Sequence, residues 1–508
     1  MGKIFNMLTS RAFVVSALMF IEIALIASIM IFLSQLFLPI FGLFLLANIF
    51  IVIGIINRND NPAFKVAWLV PVLAVPVVGA LFYIMFGRSH LNKKNTKKLS
   101  DAYYGAQDFF TVNKELLNRF SNKYPHITKE AHYIMQSSKS DIFEFTETEY
   151  FSPGRLFFEK LIIETKKAKK FIFLEYFIIN EGEMWETLKA VLIERQSHGV
   201  EIRVMYDDIG SAISDVPPDF APELRKLGFK TAVFNPYKPS LDCFLNYRDH
   251  RKICIIDGKV AFTGGINIAD EYIGEDNRFG YWRDSAVMLR GDAVNRITVM
   301  FLQMWNFTTN EPPRYADYMV DFKANHDGYV IPFSDEPLMQ ELICESAYIN
   351  IISNATKYVY ICAPYLILDR STSSTLIRAA KSGIDIKIIT PGIPDKKLVY
   401  YMTRSNYKDL IEAGIEIYEF TPGFIHNKTI VSDDEKAIVG TANFDYRSFY
   451  LHFENGVWLY GSKAVLQAKK SFEDALALSR RITWEEMEAT SFGKRLVCSL
   501  LKVFAPLL

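Results

Sequence analysis

The sequence predicts an α/β protein made of two copies of one domain, preceded by N-terminal transmembrane helices. Three observations point there. The triplet His250, Lys252 and Asp257 returns with the same spacing as His426, Lys428 and Asp433, 176 residues later. The stretches before each triplet match as strand, helix and strand, the pattern of an internal repeat. Residues 12–56 carry one charge, Glu22.

The apolar region comes first. A span needs about 20 apolar residues, so 12–56 is long enough to cross a bilayer twice, with a break near Gln35–Pro39. "NRNDNPAFK" (57–65) reads as a polar loop, and "VAWLVPVLAVPVVGALFYIMFG" (66–87) as a further span with Trp68 and Tyr83 as interfacial anchors. The region is far too long for a cleaved signal peptide. It is also apolar all round, unlike a soluble amphipathic helix. Residues 1–88 are therefore expected to be an anchor of two or three spans. Arg88, Lys93, Lys94, Lys97 and Lys98 follow it and put the catalytic portion on the cytoplasmic face. Lys3, Arg11, Arg58 and Lys65 nearly balance them if there are three spans; two spans and an interfacial segment remove the conflict.

After a connecting segment (89–145), apolar strand-like runs alternate with helical patterns. "KKFIFLEYFII" (169–179) matches "TKYVYICAPYLIL" (356–368), and "HGVEIRVMYDD" (198–208) matches "SGIDIKIITPG" (382–392). "LRKLGFKTAVFNPY" (224–237) matches "LIEAGIEIYEFTPG" (410–423). The copies are placed at 146–325 and 326–485. The C-terminal segment, 486–508, is an amphipathic helix with Arg495, Ser499 and Lys502 on one face and Leu496, Leu500, Val503 and Leu507 on another. Docking on the core and lying in a membrane interface are both open to it.

Basic and acidic residues number 57 each, so net charge points to neither nucleic acid nor an acidic partner. Five scattered cysteines (Cys243, Cys254, Cys344, Cys362, Cys498) form no disulfide framework and no metal-type CxxC spacing, and lean towards a reducing compartment.

On a strand, residues two apart face the same way. His250 and Lys252 therefore address one ligand together, as do His426 and Lys428. Asp257 and Asp433 lie at an odd offset, at a turn ("DG", 257–258), and read as anchors of the strand–turn unit. Ten residues beyond each aspartate stand Asn267 and Asn443, in "GGIN" (264–267) and "GTAN" (440–443). Gly264 and Gly440 allow close backbone approach and the amides can donate to phosphate oxygens. Asp284 in "YWRDSAV" and Glu454 in "HFENGV" are candidates to fix an imidazole tautomer, and either could serve either histidine. A lone HxK is weak; the paired pattern inside a wider repeat is specific. Two histidines and two lysines suit phosphodiester chemistry, one imidazole attacking phosphorus and the other moving protons. The lysines and asparagines would stabilise the phosphoryl oxygens in place of a metal, and no spacing demands a metal or cofactor.

The pattern resembles the phospholipase D superfamily, whose members pair two such motifs about a pseudo-twofold. "NYRDHRKICIIDGKVAFTGGINIADEY" (246–272), "GYWRDSAVMLRG" (280–291), "GFIHNKTIVSDDEKAIVGTANFDYRSFYLHFENG" (423–456) and "NPAFKVAWLVPVLAVPVVGALFYIMFG" (61–87) are similar to the bacterial cardiolipin synthases within it. That resemblance implies two phospholipase D-like domains and transfer of a phosphatidyl group between two phosphatidylglycerol molecules, with release of glycerol. It implies His250, Lys252, Asp257, His426, Lys428 and Asp433 as catalytic residues, with His250 as nucleophile and His426 as acid. It implies membrane lipids as partners. Gly265 stands where much of the superfamily has serine. The rival readings are a membrane-bound phospholipase D that hydrolyses to phosphatidic acid, a nuclease, and a membrane scaffold with a degenerate site.

Overall fold

The computed structural model describes residues 11–32, 34–87, 93–106, 109, 113–212, 216–236, 246–312, 314–337 and 341–507. The chain divides into two compact units. One gathers the N-terminal helices and residues 500–508; the other holds the two repeated sheets.

The first unit contains helices Arg11–Phe32, Ser34–Ile56, Pro62–Ala74 and Pro76–Phe82, then a π-helical turn, Tyr83–Gly87. Helix Ser34–Ile56 runs through the break expected at Gln35–Pro39; residue 33, before it, lies outside the described residues. The single span expected over 66–87 is corrected to two short helices. Pro76 has no amide hydrogen and holds Val75 out of the helical region, at φ −136° and ψ 81°. Asn61 caps the first of the two, accepting from the Ala63 amide at 2.9 Å. Among the described residues no helix is long and apolar enough to cross a membrane. The described side chains of these first two helices are those of residues 17, 19–28 and 41–56. Many of those side chains are nonetheless turned outward, Phe20 at 74% and Phe50 at 73% exposure. Lys3, Arg88 and Cys243, and the side chains of Arg11, Lys93 and Lys94, lie outside the described residues.

The second unit has strands β1 (Thr146–Phe151), β2 (Phe171–Tyr176), β3 (Glu201–Asp207), β4 (Lys230–Phe234), β5 (Arg248–Asp249), β6 (Lys252–Ile256), β7 (Val260–Gly264) and β8 (Ala286–Gly291) in the first copy. The second has β9 (Tyr329–Asp335), β10 (Tyr358–Cys362), β11 (Asp385–Pro391), β12 (Glu416–Phe420), β13 (Thr429–Ser432), β14 (Lys436–Gly440), β15 (His452–Tyr460) and β16 (Ser479–Arg481). The first sheet runs β1-β8-β7-β6-β2-β3-β4. The second runs β9-β15-β14-β13-β10-β11-β12, the same order strand for strand, with β16 added beyond β12. The mixed α/β fold of two matching sheets is thus explicit in the topology. β2, β3 and β4 are parallel, as are β10, β11 and β12, so helices cross over between them.

The sheets meet where the motifs lie. β5 pairs in parallel with the start of β15, Arg248 beside His452 and Asp249 beside Phe453. A reciprocal bridge joins Arg283 of the first copy to Ile425 of the second.

The segment 89–145 does more than connect. Helices Lys114–Lys123 and Thr128–Ser138 send Leu116, Phe120, Ile134 and Met135 into the second copy's core beside Trp458 and Tyr329. Glu130, buried there, accepts from Trp458 Nε1 at 2.7 Å. At the other end, helix Phe492–Phe504 has no buried residue, and Phe492, Leu496, Val497 and Leu500 are exposed.

Candidate active site

Each motif begins on a short β-rich strand closed by a tight turn. The Lys259 amide returns to the Ile256 carbonyl at 3.0 Å, with Asp257 and Gly258 between them at φ 55° and 66°. The second copy repeats this with Asp433 and Asp434 at 60° and 62°, and Glu435 returning to Ser432 at 3.1 Å. Such turns require positive φ at both central residues, which Asp tolerates and Gly adopts freely.

The turn aspartates face away from the histidines. Asp257 accepts the amides of Lys169, Lys170 and Phe171 at 2.8, 2.7 and 3.0 Å, tying the turn to the start of β2. Asp433 accepts those of Thr356, Lys357 and Tyr358 at 2.8, 2.8 and 3.0 Å, at the start of β10. Each aspartate lies five positions beyond its lysine along the strand, roughly 16 Å. Their carboxylates fix the strand register and touch nothing at the other end.

At that other end the two copies converge. His250 and His426 are both buried. His250 Nδ1 lies 2.9 Å from Glu454 Oε1, and His426 Nδ1 lies 2.7 Å from Asp284 Oδ2. Each histidine is therefore held by the carboxylate of the opposite copy. The backbone is crossed the same way: the His250 amide donates to Phe453 O at 3.0 Å and the His426 amide to Arg283 O at 2.6 Å. Nδ1 thus carries the hydrogen towards the carboxylate and Nε2 keeps its lone pair for chemistry. Lys252 Nζ donates to the His250 carbonyl at 2.5 Å, and Lys428 Nζ to the His426 carbonyl at 2.6 Å. An ammonium has three donors, so each lysine engages the backbone with one of them.

The electrostatics follow from burial. Burial first, then the charges of Lys252 and Lys428, hold both imidazoles well below their usual pKa. Burial likewise pulls Lys252 down to about 7 and Lys428 down to about 8, against the attraction of Glu454 and Asp284. It pushes Asp284 up to about 7, against Lys428. A phosphodiester placed among these buried rings and ammonium groups would favour their protonated forms.

Other expected residues take different places. Asn267 donates to the Tyr272 hydroxyl at 2.7 Å and accepts from the Ile178 amide at 3.1 Å. It braces Tyr272, whose ring lies 5.8 Å from His426. The Asn443 side chain turns to Asp445. Gly264 and Gly440 serve strand packing: a Cβ on Gly264 would lie 2.5 Å from Ala286 Cα, and one on Gly440 2.6 Å from Asn455 O. A Cβ on Gly265 would lie 2.2 Å from Asp284 Oδ1, so the missing hydroxyl leaves room for the carboxylate that holds His426.

Several neighbours escaped sequence reasoning. Phe177 stands 5.0 Å from the His250 ring; Trp282 and Phe424 stand 5.2 and 5.7 Å from that of His426. Thr441 donates its hydroxyl to Glu454. His452 lies 5.2 Å from His250. Setting "YWRD" against "LHFE" would have placed Trp282 and His452 at equivalent positions. Among the described residues, His250, His452 and Glu454 are the one group with spacing suited to a metal ion.

Residues 161–305 and 348–476 match the family model described as "Cardiolipin synthase, PLD-like domain". The chain belongs to this phospholipase D-like cardiolipin synthase family. Residues 46–88 match a second model, "Phospholipase_D-nuclease N-terminal". The cardiolipin synthase of Alkalihalophilus pseudofirmus is 35% identical over 92% of this chain and 93% of its own length. That of Geobacillus kaustophilus is 34% identical over 91% and 92%. A Streptococcus mutans protein of uncharacterised function is 41% identical over 90% of this chain and 99% of its own. In fold alone, the family member resembles a phosphatidylserine synthase from Haemophilus influenzae, with TM-score 0.55, 14% identity and coverage of 75% and 98%.

Proposed function

We propose that the protein is a phosphatidyltransferase making cardiolipin and glycerol from two phosphatidylglycerol molecules. The observation that carries this reading is the pair of histidines, each oriented by the other copy's carboxylate, in a family of cardiolipin synthases.

Nε2 of one imidazole, His250 by the family resemblance, attacks phosphorus and the bond to the departing glycerol oxygen breaks. The second imidazole, His426, protonated at Nε2 once the phosphodiester anion is bound, gives that oxygen its proton. A hydroxyl of the second phosphatidylglycerol then returns the proton to His426 as its oxygen attacks phosphorus and frees His250. Lys252 and Lys428 stabilise the charge on the phosphoryl oxygens. Glu454 and Asp284 hold the tautomers, and Asp257 and Asp433 secure the strands.

Synthesis rather than hydrolysis requires that a lipid hydroxyl, not water, reach the phosphohistidine. The outward-facing apolar side chains within residues 19–28 and 41–56, and the exposed apolar face of helix Phe492–Phe504, support a site held at the bilayer. The anchor then embeds the protein in the cell membrane, with the sheets on the cytoplasmic face. Purified protein in phosphatidylglycerol bilayers should yield cardiolipin and glycerol in equal amounts, and added glycerol should reverse the reaction. Phosphatidic acid as main product would make the protein a hydrolase instead.

A further inference from the structure

The two halves of the site differ at one equivalent pair. Trp282 and His452 each stand two residues before the carboxylate of their copy. Each ring lies 5.2 Å from the imidazole that carboxylate holds. An indole cannot ligate a metal; an imidazole can. The His452 side chain is only 10% exposed, and neither of its nitrogens has a hydrogen-bond partner. Its Nδ1 is 3.6 Å from Glu454 Oε1, the same oxygen that lies 2.9 Å from His250 Nδ1. One ligand atom from each of the three residues falls within 4.8 Å of the others. Tetrahedral zinc, with bonds of about 2.0–2.1 Å, separates its ligands by about 3.3 Å. The two distances to Glu454 bracket that value.

We propose that His250, His452 and Glu454 form an inhibitory site for one zinc-class ion. Two imidazoles and a carboxylate suit zinc, cobalt or copper and disfavour magnesium and calcium, which prefer all-oxygen sites. Coordination at His250 Nδ1 moves the ring proton to Nε2. The lone pair that attacks phosphorus is then occupied, with no proton gained or lost. The inhibitory half rests on the transfer reading above; the binding half does not.

The test uses the full-length protein in detergent or bilayer discs, with Co²⁺ as a spectroscopic probe and Zn²⁺ as competitor. The wild type should bind one Co²⁺ per chain with tetrahedral visible bands, lose them to Zn²⁺, and lose turnover in step, with recovery on chelation. His452→Asn should weaken binding and inhibition by more than about tenfold, the least that even outer-sphere losses cost. His452→Gln, with a melting curve for each variant, separates lost ligation from lost folding. No cobalt bands in the wild type, or unchanged binding in both folded variants, would overturn the site. Stoichiometric binding with full turnover would overturn the inhibitory half and count against attack by His250 Nε2.

Discussion

His250 Nδ1 and Glu454 Oε1 lie 2.9 Å apart although 204 positions separate them in the chain. His426 and Asp284 repeat this at 2.7 Å across 142 positions. Neither copy therefore contains a complete oriented imidazole. The duplicated fold works as one site because each half supplies what the other half's histidine needs.

Asp284→Asn and Glu454→Gln preserve shape but no longer favour hydrogen on Nδ1. Each should lower kcat by about 10⁴, the scale of the analogous change in a Ser-His-Asp triad, with an unchanged Tm. Steady-state assays beside thermal melts check this. A loss below tenfold in either variant would show that the cross-copy pair is incidental.

Lys252 and Lys428, drawn down by burial to about 7 and about 8, should lose their charge as pH rises through that range. A profile of kcat/KM should fall on its alkaline side there. In the unfolded chain lysine keeps its proton up to about 10.4. Between the folded and unfolded values the unfolded state binds more protons, so these two groups make stability rise with pH across that window. Below pH 7 their destabilising effect is fully present. Lys252→Met should accordingly cost about 10²–10³ in rate without lowering Tm at pH 6. A large drop in Tm would mean the lysine supports the fold instead.

Asp257→Asn and Asp433→Asn should act through stability. Each removes acceptor capacity from three amides, at roughly 1–3 kcal/mol. Against the cost of burial, the amides of Tyr358, Thr356 and Lys357 draw the Asp433 carboxyl below its usual range. Its stabilisation is complete above the unfolded value near 3.9 and is lost as pH falls through the lower folded value. Urea titrations at pH 7 read the difference. A fully stable but inactive Asp257→Asn protein would return the aspartate to the chemistry.

Gly265→Ser restores the residue common in the superfamily, yet should reduce turnover here. Its Cβ would meet Asp284 Oδ1 at 2.2 Å and push the carboxylate off His426. Activity equal to the wild type would refute that steric argument.

The duplication, the strand–helix–strand run before each motif and the convergence of His and Lys were legible because period-two spacing and repeated words are local. The partner of each histidine was not. Glu454 and Asp284 stand in equivalent words, and only the crossing of β5 onto β15 decides which serves which. Gly264 and Gly440 looked like room for substrate, since a glycine does not say whether a ligand or a neighbouring strand fills the space. Residues 113–138 read as linker because their apolar positions are sparse, although Phe120 is wholly buried in the second core. The break at Val75 was signalled by Pro76 but masked by the apolar run around it.

The central claim is a covalent histidine intermediate in a two-histidine site. Phosphatidylglycerol labelled at phosphorus, quenched in alkali during turnover and mapped by mass spectrometry, tests it directly. The account predicts label on His250 in the wild type, more of it in His426→Asn if the acceptor half-reaction slows more than the first, and none in His250→Asn, which should be inactive yet folded. Normal turnover by His250→Asn, or label on a residue other than His250 or His426, would contradict it.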